Sequence, residues 1–193
     1  MLVQITVRNY KTFKDSTTLN LLASNYDKET REEDNVTLDT DFNLRILKSS
    51  IVYGANASGK SKFVDALEFM RDFAIESSIY SQKGDPIEVE PFKLEQESAI
   101  ASSEFEVIFI HNGEMFRYGF EVNQEKVIAE WLFTKPKTKE VEVFYRTEQD
   151  IEAHSKLFPR ANTLSRENLV RANALLLSVA AQFNDERAGR VLD

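Results

Sequence analysis

The stretch Gly54-Ala55-Asn56-Ala57-Ser58-Gly59-Lys60-Ser61 constrains this chain more than any other eight residues. It fits G-x-x-x-x-G-K-[ST], a pattern that cradles phosphate and needs a strand before it and a helix after it. Glycines let such a loop curl until consecutive N–H groups point at one anion. The helix that follows adds the positive end of its dipole. The flanks supply this context. Ile51-Val52-Tyr53 reads as a short buried strand, and Ser61 to Ile75 reads as a helix with Phe63, Ala66, Leu67, Met70 and Ala74 on one face. Lys60 is then placed to reach β- and γ-phosphates, and the Ser61 hydroxyl to ligate Mg²⁺.

Composition narrows the remaining classes. The 193 residues, 42% hydrophobic and 29% charged, suit one globular domain of ordinary size. With no Cys there is no disulfide framework and no thiolate chemistry. His111 and His154 lie far apart, without neighbouring carboxylate clusters, and read as surface residues. No apolar run approaches the ~20 residues of a membrane span. The start Met1-Leu2-Val3-Gln4-Ile5-Thr6-Val7-Arg8 reads as a strand and not a signal peptide, so a cytoplasmic location is expected. The net charge of -8 argues against indiscriminate DNA binding. Two local basic groups, Lys156/Arg160/Arg166/Arg171 and Lys135/Lys137/Lys139, read first as solvated surface and second as a nucleic-acid face.

Along the chain, Val3, Ile5 and Val7 alternate with Gln4, Thr6 and Arg8; after a turn at Asn9-Tyr10-Lys11, Thr18 to Leu22 forms a second strand. Residues 23–45, with Asp27, Glu29, Glu32, Glu33, Asp34, Asp39 and Asp41, read as a weakly structured acidic loop. Gly84-Asp85-Pro86 ends the helical part, and residues 87–147 read as an antiparallel sheet of about four strands. Phe105, Val107 and Phe109 alternate there, Asn112-Gly113 marks a hairpin, and Phe116, Tyr118, Phe120 and Val122 alternate after it. Aromatic stripes at period two fit one packed sheet face better than a base-stacking platform. Leu164 to Phe183 reads as a helix, followed by a polar end, Asn184 to Asp193.

The catalytic complement of the loop is not legible. An ATPase of this kind holds Mg²⁺ with a carboxylate at the end of an apolar strand. Asp185-Glu186 follows Phe183-Asn184, too polar a lead, and Asp65 lies inside the helix after the loop.

At these positions a family resemblance appears. Ile5-Thr6-Val7-Arg8-Asn9-Tyr10-Lys11-Thr12-Phe13 resembles the opening strand and turn of the SMC, RecF and OLD-type ATPases of the ABC class, and Asn56 matches the third position of their glycine loop. Glu90-Pro91-Phe92-Lys93-Leu94, the strands Phe105–Ile110 and Phe116–Val122, Glu130-Trp131-Leu132-Phe133 and Arg171 to Ser178 resemble the bacterial AAA-type branch found in abortive-infection and other phage-defence systems. The resemblance implies an α/β P-loop NTPase half: N-terminal strands and P-loop over 1–83, an inserted antiparallel β lobe over 84–150, and a helical segment over 151–193 leading into a C-terminal half. It assigns Lys11, Thr12, Asn56, Ala57, Ser58, Gly59, Lys60, Ser61 and Lys62 to the nucleotide phosphates, and Ser61 with Gln182 to Mg²⁺.

The implied cofactors are ATP and Mg²⁺. The implied partners are a second copy, sandwiching ATP head to tail, and an effector nuclease or toxin gated by that dimer. The signature L-S-G-G, Walker B, the D-loop and the switch histidine are not present, so this chain alone is expected to bind ATP without turning it over. Two alternatives stand beside the gating ATPase: a nucleotide-sensing interaction protein without turnover, and a DNA-repair ATPase of SMC or RecF kind.

Overall fold

Period-two alternation governs most of the molecule and yields one continuous seven-stranded sheet. The computed structural model describes residues 1–25, 31–79 and 82–193. Strand β1 (Leu2–Arg8) pairs antiparallel with β2 (Thr17–Asn20), as its alternation predicts. The acidic stretch after it differs from expectation. It carries a helical turn, α1 (Glu32–Asn35), and a hairpin of β3 (Val36–Asp39) and β4 (Leu44–Leu47). The reason is that Phe42, Leu44 and Ile46 find apolar surface to cover, packing with Val3, Leu21, Ile108, Ile110 and Met115 into a small second core. Arg45 pairs with Glu32 at 2.6 Å and offsets part of the acidic charge. Asp27 and Glu29 lie outside the described residues.

Helix α2 (Lys60–Glu76) follows the glycine loop, and a short α3 (Gln96–Ile100) precedes the main meander. That meander is β5 (Ser103–His111), β6 (Glu114–Val122), β7 (Val127–Lys135), β8 (Val141–Thr147) and a short β9 (Asp150–Ala153). The β5–β6 turn has Asn112 at φ 51° and Gly113 at φ 72°, the paired left-handed geometry of a tight hairpin. The sheet order is β2-β1-β5-β6-β7-β8-β9, and every pairing in it is antiparallel. Because β1 pairs with β5 (Ile5↔Val107, Val7↔Phe105), the N-terminal hairpin and the meander share one sheet.

The aromatic stripes form the packed face. Phe105, Phe116, Tyr118 and Phe120 are buried, and α2 lays Ala66, Met70 and Ala74 against them. Phe69 meets Phe105 at 5.0 Å between ring centroids, and Phe73 meets Phe120 at 5.5 Å. Full burial of one such side chain stabilises the fold by roughly 1.5–3 kcal/mol.

The expected helix from Leu164 to Phe183 is broken. Three helices occupy the C-terminal region: α4 (Pro159–Arg166), α5 (Leu176–Gln182) and α6 (Glu186–Leu192). Asn168 turns left-handed at φ 53°, and the Leu169 N–H closes on the Leu164 carbonyl. Leu169, counted on the helical face, is 42% exposed. The cause lies in the sheet. Arg146, wholly buried, donates to the Ala174 carbonyl at 2.7 Å and the Arg171 carbonyl at 3.1 Å. Those carbonyls are held by a side chain of the sheet, and the Arg171 carbonyl also closes a local turn with the Ala174 N–H at 3.2 Å. Beside Arg146, Glu130 accepts the Leu176 and Leu177 N–H groups at 2.6 and 3.0 Å and the Tyr118 hydroxyl at 3.1 Å. Glu130 thus caps α5 from within the core. The polar end also folds, with Asp185 accepting the Arg187 and Ala188 N–H groups as the cap of α6.

Candidate phosphate-binding site

The turn after β1 is fastened before it reaches the glycine loop. Asn9 and Lys11 both adopt left-handed backbone, at φ 51° and 50°. Asn9 is buried, and its amide donates to the carbonyls of Ser98, Ala101 and Ser102 at 2.9, 3.0 and 3.1 Å. Its amide oxygen accepts the Phe92 N–H at 3.1 Å, and the Lys11 N–H donates to the Glu90 carbonyl at 2.8 Å. Both ends of the Asn9 amide are therefore engaged in holding this turn, which offsets the cost of burying it.

The fastened turn presses Thr12 and Phe13 onto Gly59. A Cβ added at Gly59 would stand 2.7 Å from Thr12 Oγ1, and Gly59 sits at φ 92°. Both facts require glycine here. Phe13 meets Phe63 edge-on at 5.8 Å, locking the turn to the first turn of α2.

Lys60 folds back across the loop. Its ammonium donates to the Gly54 carbonyl at 2.8 Å and the Ala55 carbonyl at 2.7 Å. Ala57 is left-handed at φ 63°, and Asn56, Ala57 and Ser58 are exposed. Helix α2 has no side-chain cap, so its first-turn N–H groups are offered toward the loop, with Ser61 exposed beside them. One turn further on, Asp65 Oδ2 accepts from Lys11 Nζ and from Lys62 Nζ, each at 2.9 Å. Those two ammoniums, Lys62 first and then Lys11, hold the Asp65 carboxyl down at about 2. A cavity of about 240 Å³ borders the loop, lined by Phe13, Thr17, Leu19, Val52, Tyr53 and Lys60 among others.

The structure therefore gathers Lys11, Thr12, Gly59, Lys60, Ser61 and Lys62 at one end of α2. Gln182 stands elsewhere. Ser178, on the same short helix, donates to the Ile75 carbonyl at 3.1 Å and bonds Ser78 at the far end of α2. Ile75 is about 21 Å of helix from Ser61 at 1.5 Å per residue, so α5 does not bring the exposed Gln182 beside Ser61.

The strand expected before the loop is also not formed. Ile51, Val52 and Tyr53 are 84%, 54% and 88% exposed, and no ladder includes them. An apolar run of this kind is buried only when strands flank it; among the described residues the sheet lies elsewhere.

Asp65, set aside in the sequence as a Mg²⁺ carboxylate because it lies inside the helix, pairs with two lysines that sequence reasoning does not connect to it. Its i,i+3 spacing to Lys62 was visible, but its contact with Lys11 joins positions far apart in the chain. Of the basic groups, Arg171 turns inward to the Ser78 carbonyl at 2.8 Å, while Lys156 and Arg160 line an open groove with Arg187 and Arg190. His111 and His154 are both surface-facing, with His154 Nδ1 accepting the N–H groups of Lys156 and Leu157.

A family model described as "AAA domain, putative AbiEii toxin, Type IV TA system" matches residues 49–178, about two thirds of the chain. The matched span begins just before Gly54 and takes in the loop, α2 and the strands β5 to β9. A comparison with curated proteins gave no match. Among the described residues, no helix is long and apolar enough to cross a membrane.

Proposed function

This chain belongs to the AAA-domain family of abortive-infection, type IV toxin–antitoxin systems, and from that membership we propose that Gly54–Ser61 is its ATP-binding loop. An AAA-type ATPase domain binds nucleotide, generally with Mg²⁺. Here the backbone N–H groups of Asn56 to Lys60 would surround the β-phosphate, the Lys60 ammonium would bridge β- and γ-phosphates, and the Ser61 hydroxyl would hold Mg²⁺. Lys11 and Thr12 would approach from the β1 turn. The supporting observation is the convergence of that turn on Gly59, with the Lys60 ammonium held over the loop by two carbonyls.

The wider scheme is that of ABC-class ATPases of SMC, RecF or OLD kind. Residues 1–83 carry the loop, 84–150 the β lobe and 151–193 the helical segment. Two copies would close head to tail on ATP and reopen on hydrolysis, gating an effector nuclease or toxin. Closure follows if ATP contacts the dimer more than the monomer.

A second reading, nucleotide sensing without turnover, draws on how the carboxylates are used. One oxygen of Asp65 is shared by two lysines and one oxygen of Asp185 caps α6, so each carboxylate already has a structural use. Mg-ATP turnover and ATP-dependent dimerisation, measured across protein concentrations beside Lys60→Ala, test the two. Turnover that vanishes in Lys60→Ala refutes the sensor and means that this chain supplies its own catalytic carboxylate. Saturable binding without turnover fits both readings, and dimerisation on Mg-ATP then favours the gating ATPase. Equal nucleotide affinity in the wild type and Lys60→Ala refutes the site.

A further inference from the structure

Asp65 joins two cations that the phosphates would also attract. A single oxygen, Oδ2, accepts from both Lys11 and Lys62, each at 2.9 Å, so the trio carries one positive charge in excess. The two pairs differ in kind. Lys62 and Asp65 are i,i+3 neighbours on one rigid helix. Lys11 comes from the fastened turn, and only its side chain reaches Asp65. Its backbone N–H is fixed to the Glu90 carbonyl, and its neighbour Thr12 rests on Gly59 at the loop itself.

Asp65 lies five residues beyond Lys60, about 7.5 Å along the helix axis. The flexible four-carbon stem of a lysine can swing its ammonium through much of such a distance about a fixed backbone. The side chains are 21%, 28% and 45% exposed for Lys11, Asp65 and Lys62, so water screens the pairs and their exchange costs little.

We propose that Asp65 is a holding carboxylate that competes with the terminal phosphate for Lys11, and thereby sets how strongly this loop distinguishes nucleoside triphosphate from diphosphate. This rests on Gly54–Ser61 being the phosphate cradle. When a triphosphate occupies the loop, Lys11 leaves Asp65 for the terminal phosphate oxygens, while Lys62 remains and keeps the carboxylate paired. A diphosphate offers no oxygen at that position, and Lys11 stays where it is. Asp65 also repels the ligand directly, and more strongly the greater the ligand's charge.

The test is displacement of a fluorescent nucleotide by Mg-AMP-PNP and by Mg-ADP, on the full 193-residue chain. Four proteins are compared: wild type, Asp65→Asn, Asp65→Asn with Lys11→Met, and Lys60→Ala. Removing one screened charge at this range should tighten AMP-PNP about three- to tenfold. ADP should change less, so the triphosphate preference rises. Adding Lys11→Met should remove most of the gain and leave only the part due to direct repulsion by Asp65. Asp65→Ala, which removes the acceptor altogether, should reproduce the Asp65→Asn result if that variant folds poorly. Weaker AMP-PNP binding in Asp65→Asn, an unchanged preference, or a gain that survives Lys11→Met in full would overturn the proposal. Lys60→Ala isolates the premise: if it keeps both affinities, the cradle reading itself has failed and the role of Asp65 falls with it.

Discussion

Glu130 with Arg146 under the sheet, and Lys60 with Lys11 and Lys62 at the glycine loop, are charged groups that all have partners, but the two sets are tied differently. Glu130 and Arg146 are wholly buried, 3.5 Å apart, and their remaining bonds go to the Tyr118 hydroxyl and to backbone N–H and carbonyl groups that only the fold can supply. Burial pushes the Glu130 carboxyl up, and the Arg146 guanidinium with the Leu177 and Leu176 N–H groups opposes it. At the loop, Lys60 rests on two carbonyls of an exposed segment, and Lys11 and Lys62 share one carboxylate oxygen. The first arrangement has no vacancy a ligand could fill. The second is made of contacts that an incoming anion can replace. Saturated polar groups build the scaffold, and replaceable ones lie at the proposed site.

The largest test of this contrast is Glu130→Gln. It leaves Arg146 buried without a counter-charge and turns an amide N–H₂ toward the donors of α5. The expected loss is about 3–5 kcal/mol in urea unfolding, with nucleotide affinity of the folded fraction unchanged. A loss below 1 kcal/mol would mean that the hub is not the closed structural knot described here. Next is Gly59→Ala, which meets both the left-handed backbone and the Thr12 hydroxyl. A cost of about 1–3 kcal/mol is expected, together with weakened ATP binding, because here the scaffold and the site touch.

Lys60→Ala should do the reverse of Glu130→Gln. Its stability should stay within about 0.5 kcal/mol of wild type, while ATP binding is lost. A large fall in melting temperature would erase the distinction between the two regions.

The smallest effect is in acid. Asp65 is held from its ordinary 3.8 down to about 2, so its contribution to stability is complete above pH 3.8 and disappears as pH falls through about 2. A carboxyl ¹³C titration should place its midpoint near 2 in the wild type and higher in Lys62→Met or Lys11→Met. A midpoint near 4 in the wild type would show that the two pairs are not populated in solution.

Local periodicity made part of this architecture readable. The alternation of Ile5 and Val7, the Asn112-Gly113 turn and the apolar face Phe63–Ala66–Met70–Ala74 each carry their signal within a few residues, and each forms as expected. What escaped depends on register or on partners. Glu130 lies directly opposite Arg146 only because of the β7–β8 pairing, which a bulge at Leu132/Phe133 adjusts. Their joint demand for the backbone at 171–177 then overrides the helical pattern of residues 164–183. The acidic look of residues 23–45 hid Phe42, Leu44 and Ile46, whose alternation matters once an apolar sheet face lies opposite. Ile51-Val52-Tyr53 has the composition of a central strand, but composition does not supply a neighbour. At the site, the glycine loop was legible as a motif, while the Lys11–Asp65 contact was not, because no local rule links a turn after β1 to the second turn of α2.

The most direct measurement is an amide chemical-shift titration of the chain with Mg-ATP, run in parallel on Lys60→Ala. Saturable shifts confined to Gly54–Lys62 and the Lys11–Phe13 turn, absent from a Lys60→Ala protein of unchanged melting temperature, are the expected result. Undiminished binding in Lys60→Ala, or shifts centred on the Lys156–Arg160 groove instead, would contradict the assignment of the glycine loop as the nucleotide site.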